Sequence, residues 1–330
     1  MLLAMRPGIE TAVHPIACIL ADWGTTNLRA WAVAADGAVI GRRDSPRGLL
    51  GVEGGRFAEA FGEVCGDWLA ARERLPVIMS GMVGSKSGWK EVPYLAAPFA
   101  LDDLAHHLAP VDAPHAIAAW IVPGLRLDDP AQPDVMRGEE TQILGALQES
   151  EADDGVFLLP GTHSKWAIVE GRRLVAFRTY ITGEVYGLLR RTGTLSQLME
   201  GDSPDDAAFR QGVKRAQSAD AANLLHSLFS VRTLGLLDRL PRRGLASYLS
   251  GLLIGAEVQD GLRWLGARGK PATAVGIGST EMLKSYGTAA KLSGLEFRTL
   301  DSANVTPRAL LSIARSAGLV IPAARGAKAG

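Results

Sequence analysis

The chain has 330 residues, 47% of them hydrophobic and 21% charged, which is globular composition with material for about two domains. Its 35 Lys and Arg balance 35 Asp and Glu, which argues against a dedicated nucleic-acid binder needing a basic surplus to face phosphates. Two cysteines, Cys18 and Cys65, cannot staple such a chain and lack metal-ligand spacing, so a reducing, cytoplasmic setting is expected. No apolar run reaches the ~18 residues of a membrane span, and the start carries too few apolar residues for a signal-peptide core.

In chain order, the residues before Ile16, with Pro7, Gly8 and Pro15, form a loose N-terminal tail (1–15), and the small, basic end after Pro322 reads the same way. Ile16–Leu20 is the first strand. It breaks at Asp22-Trp23-Gly24-Thr25-Thr26-Asn27, Leu28–Ala35 returns as a second strand, and Asp36-Gly37 turns into a third. An amphipathic helix follows from about Gly55 to Arg74, then the strand Pro76–Ser80 and a Gly-rich loop, Gly81 to Trp89. A further helix opens near Gly138-Glu139-Glu140. The charged stretch 149–155 suggests a divide between a first domain, 16–150, and a second, 151–330.

The second half repeats the opening pattern. Val156–Pro160 runs into Gly161-Thr162-His163-Ser164-Lys165, followed by two more strands, which suggests a duplicated unit. Residues 184–265 read as mostly helical, and a buried strand, 272–278, enters a helix at Ser279. Leu295–Asp301 reads as a strand, and Thr306 is expected to cap a closing helix with Pro307 at its first position. Strands alternating with helices make the class α/β.

Three glycine turns could carry chemistry. In the first, Gly24 permits close backbone approach, successive amides make a nest for anionic oxygens, and Thr25, Thr26 and Asn27 add side-chain donors. Asp22 leaves the strand at the same place, positioned to hold Mg2+ directly or through water, and Arg29 could reach a transferring phosphoryl group. The second, Gly161-Thr162-His163-Ser164-Lys165, suits the outer phosphates of a nucleotide. For His163 an ordinary turn hydrogen bond is the commoner role, and Lys165 could carry its charge into solvent. The third, Gly276-Ile277-Gly278-Ser279, ends a buried strand before a helix, where adenine or ribose could lie on bare backbone. It lacks the third glycine of a dinucleotide-binding fingerprint, and no GxxxxGK[ST] loop occurs.

The two Gly-Thr hairpins and the late GxG turn resemble the two phosphate motifs and the adenosine motif of the actin, hexokinase and Hsp70-like ATPase superfamily. The longer strings DWGTTNLRAW, SGMVGSKSGWKEVPY, MRGEETQILGAL, LPGTHSKWAIVEG and YLSGLLIGAE resemble the 2-dehydro-3-deoxygalactonokinase (2-keto-3-deoxygalactonokinase) family, from about residue 16 to about 320. The resemblance implies two RNase H-like (actin-like ATPase) domains with mixed five-stranded sheets flanked by helices and a ligand cleft between them. It implies a kinase passing the γ-phosphoryl of MgATP to the 6-hydroxyl of 2-dehydro-3-deoxy-D-galactonate in galactonate catabolism, with ATP and Mg2+ as cofactors.

Carried over by motif, Asp22 becomes the metal partner and Gly24 to Asn27 the first phosphate loop. Arg29 becomes the arginine that steadies transferred charge, Gly161 to Lys165 the second loop, and Gly276, Gly278 and Ser279 the adenosine wall. Related kinases place an Asp at the start of the connecting helix; here Glu139 and Glu140 stand there, and either can accept the hydroxyl proton or simply serve the helix dipole. Gly81, Met82, Ser85, Lys86 and Trp89 are candidates for sugar-acid binding, with Arg47 a further candidate for its carboxylate. Sugar acid is expected on the first domain and nucleotide on the second. The implied partners are these small molecules, without nucleic acid or membrane, and the resemblance admits a homodimer because enzymes of this kind often form one. A kinase for the gluconate-derived epimer and an actin-like ATPase without a small acceptor are the alternatives.

Overall fold

A computed structural model describes residues 15–70, 74–113, 117–201, 203–218 and 223–321. The two loose ends expected from the sequence lie outside these residues, Pro15 excepted, as does the part of the expected first helix at 71–73. The chain divides into two compact units. The first takes residues up to Val92, Ala105–Val122 and Leu310 onward; the second takes Pro93–Leu104 and Pro123–Ala309.

The first unit opens with β1 (Ile16–Trp23), β2 (Leu28–Ala34) and β3 (Val39–Ser45), paired antiparallel in sequence. The β2–β3 turn follows its chemistry: Gly37 takes φ +103°, and the Asp36 carboxylate accepts the Ala38 N–H at 2.9 Å. Helix α1 (Phe57–Ala70) and strand β4 (Pro76–Ser80) follow, with β4 parallel to β1. Leu95–Ala96 (β5) and Phe99–Ala100 (β6) belong to the second unit, after which Ala109–Val111 (β7) and Ala118–Ile121 (β8) return to the first. The sheet runs β3-β2-β1-β4-β8-β7. Alternation sorts its core: Ile19, Ala21 and Trp23 of β1 and Val77 and Met79 of β4 pack with Phe57, Phe61 and Cys65 of α1. Cys18 and Leu20 are equally buried, so β1 reads as a continuous apolar run.

In the second unit, Leu125–Leu127 (β9) and Asp134–Met136 (β10) form a small sheet with β5. Helix α2 (Glu139–Ser150) leads into β11 (Gly155–Leu159), β12 (Ser164–Glu170) and β13 (Arg173–Tyr180). The helices α3 (Thr182–Arg191), α4 (Gly193–Ser196), α5 (Asp206–Ala216), α6 (Leu224–Leu236) and α7 (Leu245–Gly266) follow. Then come β14 (Thr273–Gly278), α8 (Thr280–Ser293), β15 (Glu296–Asp301) and α9 (Ser302–Ser316). The sheet runs β15-β14-β11-β12-β13-β6, with β11 to β13 antiparallel and β14 and β15 parallel to β11.

The first five strands of each sheet therefore have the same order, an antiparallel meander extended by two parallel strands, which is the expected RNase H-like plan. Each sheet has six strands rather than five. The additions, β7 and β6, are edge segments of three and two residues, too short to leave a periodic signal. Because β6 pairs with β13, chain before 150 builds the second unit, and the expected divide at 150 falls inside that unit. The closing helix also differs. It starts at Ser302, with the Asp301 carboxylate accepting the Ala303 N–H at 2.8 Å, so Pro307 lies inside it and Thr306 is no cap. Among the described residues no helix is long and apolar enough to cross a membrane.

Candidate functional site

The first glycine turn joins β1 to β2, whose register sets Asp22 across from Arg29. Gly24 N–H closes the turn on the Asn27 carbonyl at 2.9 Å. Behind it runs Gly48 to Leu50: the amides of Leu49, Leu50 and Gly48 donate to the carbonyls of Gly24, Thr25 and Thr26 at 3.1, 3.2 and 3.1 Å. In a planar trans peptide the N–H points opposite to the C=O of the same unit. Pinning three successive carbonyls backward thus turns the amides of Thr25, Thr26 and Asn27 forward, where all three side chains are exposed. Gly48 is what allows this approach, since a Cβ there would lie 2.3 Å from the Thr25 carbonyl oxygen. Sequence reasoning passed over Gly48, because its partner backbone is remote in the chain.

Arg29 stands 3.7 Å from Asp22 and 3.8 Å from Asp44, about one-third exposed, so its guanidinium has freedom to turn toward a ligand. The β4 end lies alongside Asp22, and Gly81, at φ +92°, brings the loop backbone against it: a Cβ there would meet Asp22 Oδ1 at 3.2 Å. The loop is stitched by Ser85 N–H to Met82 C=O and Gly88 N–H to Ser85 C=O, both at 2.9 Å. Met82 and Ser85 are half-buried, and Lys86 is exposed with no partner among the described residues. The Trp89 ring is committed to packing, stacked on Phe57 and edge-on to Trp23. The Arg47 side chain pairs with Glu63, while its carbonyl accepts the Trp23 indole N–H at 2.9 Å.

The second turn is backed in the same manner. The Glu184 amide donates to the Thr162 carbonyl at 3.1 Å, and a Cβ on Gly183 would fall 2.4 Å from the Gly161 carbonyl oxygen. His163 is exposed and bonds Glu184 at 2.7 Å, as an ordinary turn histidine would. Ser164 is fully buried and donates to Glu257 at 2.6 Å, so its hydroxyl is directed inward. Glu257, buried on α7, also accepts from Trp166 at 3.0 Å and from Tyr286 of α8 at 2.7 Å. Burial pushes its carboxyl above the ordinary range, opposed by hydrogen bonds from Ser164, Thr182, Tyr286 and Trp166. Sequence reasoning passed over Glu257, whose signal was a charge inside the otherwise apolar run 248–258.

Beside this turn lies a cavity of about 400 Å³. Gly161 and Gly183 are at its edge; Tyr186, Phe209, Ile254 and Met282 give apolar wall, and Ser250 and Ser285 give polar points. The late GxG contributes differently from expectation. The Phe297 ring occupies the space where a Gly276 Cβ would stand, at 2.2 Å, so this glycine serves sheet packing. Gly278 lies against Pro160 and Leu283, and Ser279 caps α8, its hydroxyl accepting the Met282 N–H. Neither borders the cavity, whose wall on this side is the α8 face from Glu281 to Thr288.

At the start of α2 the two glutamates separate. Glu140 is fully buried, and both its oxygens accept the Gly138 N–H, at 2.9 and 2.7 Å. Desolvation, then the charge of Glu139, pushes its carboxyl up to about 7. The Glu139 side chain is 22% exposed; Oε2 accepts the Arg137 N–H at 2.9 Å, and Oε1 lies 3.6 Å from the ammonium of Lys165. Lys165 is buried, not solvated. Arg137 is buried with its guanidinium over the Tyr94 ring at 4.3 Å.

The folded protein favours protonated Glu140, so its stabilising contribution is full below the ordinary carboxyl pKa of 4.5 and is lost as pH rises through about 7. The span corresponds to roughly 3 kcal/mol. Glu140→Gln is therefore expected to flatten the fall in unfolding free energy between about pH 5 and pH 8. Denaturant unfolding of both proteins at the two pH values checks this, and parallel slopes would refute it.

Among the described residues no three or more His, Cys, Asp or Glu gather as a metal cage. A magnesium ion arriving on phosphates needs less, commonly one carboxylate with waters. Asp22 fits that demand: its side chain is 17% exposed and it directly precedes the turn with the forward amides.

A family model described as 2-keto-3-deoxy-galactonokinase matches residues 22–313. The 2-dehydro-3-deoxygalactonokinase of Escherichia coli (strain K12) is 38% identical over 240 residues, 73% of this chain and 78% of that protein. A Rhizobium meliloti (strain 1021) protein named Probable 2-dehydro-3-deoxygalactonokinase DgoK1 is 35% identical over 302 residues, 89% of this chain and 95% of its own. A crystal structure from Sinorhizobium meliloti, assigned provisionally to the same kinase, superposes with a TM-score of 0.82 at 34% identity, covering 91% of this chain and 98% of that one.

Proposed function

The chain belongs to the 2-keto-3-deoxy-galactonokinase family, and we propose that it phosphorylates the 6-hydroxyl of 2-dehydro-3-deoxy-D-galactonate with MgATP, giving the 6-phosphate and ADP in D-galactonate degradation. The observation that carries the reading is the cavity of about 400 Å³ at the second glycine turn. It is within the size range of small-molecule sites and has an apolar wall for a base and a phosphate-binding backbone at its edge. Nucleotide is assigned to the second unit on this ground, and sugar acid to the first.

In the transfer, the hydroxyl oxygen bonds to the γ-phosphorus as the bond from phosphorus to the bridging oxygen breaks, and the hydroxyl proton passes to a carboxylate. Glu139, partly exposed, is that carboxylate; Glu140, without access, stabilises the helix start. The amides of Thr25, Thr26 and Asn27, the second-turn backbone and Thr162 hold phosphate oxygens. Arg29 offsets negative charge on the transferred group. Asp22 would hold Mg2+, which when bound neutralises phosphate charge. Lys86 is assigned to the acceptor's carboxylate, with Ser85 and the Gly81 backbone beside it.

A reducing compartment suits Cys18 and Cys65, both free, buried and pushed up to about 12 by burial. A homodimer belongs to the same reading; the apolar, exposed Leu225, Phe229 and Leu236 of α6 support it, and light scattering tests it.

The deciding experiment is ADP release with MgATP and, in turn, 2-keto-3-deoxygalactonate, 2-keto-3-deoxygluconate, galactonate, glycerol or no acceptor. Turnover confined to the first is expected. Turnover with the gluconate epimer alone would change the substrate, and acceptor-independent release would overturn the kinase reading.

A further inference from the structure

Lys165 is a buried cation whose position phosphate binding alone leaves unexplained. It is the second residue of β12, its side chain is 6% exposed, and its ammonium faces Oε1 of Glu139 at 3.6 Å. Withdrawing an ammonium from water is costly, and an apolar side chain of similar volume would often stabilise the fold as well or better. The strand itself has no need of a cation, since Trp166 and Ala167, next in sequence, are buried without one. Glu139 is held from two directions: the Arg137 amide binds Oε2 at 2.9 Å, and Lys165 faces Oε1.

The length of the contact matters. A hydrogen bond of about 2.8 Å would occupy a lone pair on Oε1. At 3.6 Å the ammonium attracts the carboxylate while leaving that oxygen's lone pairs open to a hydroxyl. Lys165 also follows directly from the second glycine turn, so the strand that carries the phosphate backbone also carries the cation that sets the carboxylate.

We propose that Lys165 is a positioning residue for the transfer step, holding Glu139 oriented to receive the acceptor's proton, rather than chiefly a ligand of the nucleotide. The inference rests on the kinase reading above.

The test is steady-state kinetics of Lys165→Met, Lys165→Arg and Glu139→Gln/Lys165→Met with MgATP and 2-keto-3-deoxygalactonate. Lys165→Met is expected to lower kcat about 100-fold with KM for ATP changed less than about threefold, and Lys165→Arg to recover much of the loss. In the Glu139→Gln background, Lys165→Met is expected to cost little more, because the group it acts on is already gone. A raised KM for ATP with kcat retained would make Lys165 a nucleotide ligand and overturn the proposal. Full additivity in the double variant would overturn it too, even if Lys165→Met is less stable. Wild-type protein without acceptor-dependent ADP release would instead remove the kinase reading and this inference with it.

Discussion

Asp22→Asn is expected to lower kcat by about 10²–10³-fold while leaving the melting temperature within a few degrees of wild type. Asn keeps the size and shape of the side chain at the end of β1, so the packing beside Gly81 persists. What is lost is the negative charge. Its ion pair with Arg29, at 3.7 Å and partly exposed, is of the kind that contributes at most about 1 kcal/mol to folding. The charge matters for catalysis because it would retain the metal beside the amides of Thr25, Thr26 and Asn27, where phosphate charge must be balanced. Circular-dichroism melts and ADP-release rates on the same preparation separate the two effects. Wild-type turnover would take Asp22 out of the metal role, and a melting temperature lowered by tens of degrees would make the loss structural.

Glu139→Gln is expected to cost about 10²–10⁴ in kcat, the usual worth of a positioned general base, with ATP affinity little altered. Gln retains an acceptor for the Arg137 amide, so the start of α2 should stand, but it cannot take a proton from the hydroxyl. Glu140→Gln is expected to retain most of the turnover, since that carboxylate is fully buried on the Gly138 amide. The comparison is made by saturating kcat for the three proteins at one pH. If Glu140→Gln suffered the larger loss, the proton acceptor would have to be reassigned.

The contrast between these neighbours shows where sequence reasoning stops. Glu139 and Glu140 are adjacent, identical in type and equally suited to a helix start; only burial and the facing Lys165 tell them apart, and those come from chain far away. Local signals succeeded where the physics is local. Asp36-Gly37 turned the β2–β3 hairpin, both Gly-Thr turns formed between antiparallel strands, and a helix begins directly after Ser279. Non-local contacts escaped. Gly48 and Gly183 look like ordinary loop glycines until the turn backbones they support are seen against them. The one readable sign was that each follows its turn at nearly the same distance, as duplication would produce. Gly276 misled in the opposite sense: a glycine before a helix suggested bare backbone for a ligand, yet the missing side chain makes room for Phe297. Trp89 was similarly ambiguous, because a tryptophan ending a polar loop can face a ligand or anchor the loop, and here its ring joins Trp23, Phe57 and Phe61.

The single carboxylate of Glu257 joins Ser164 at the second glycine turn to Tyr286 on the α8 face of the cavity. Anyone seeking to change which base the enzyme prefers, for instance guanine in place of adenine, would naturally begin by altering α8. With the base in this cavity as proposed, a shift of Tyr286 is expected to be felt at Ser164 through that shared group, so base preference and catalytic efficiency are expected to change together. Directed evolution toward a new nucleotide should therefore gather compensating changes on α7 around residue 257, well away from the base itself.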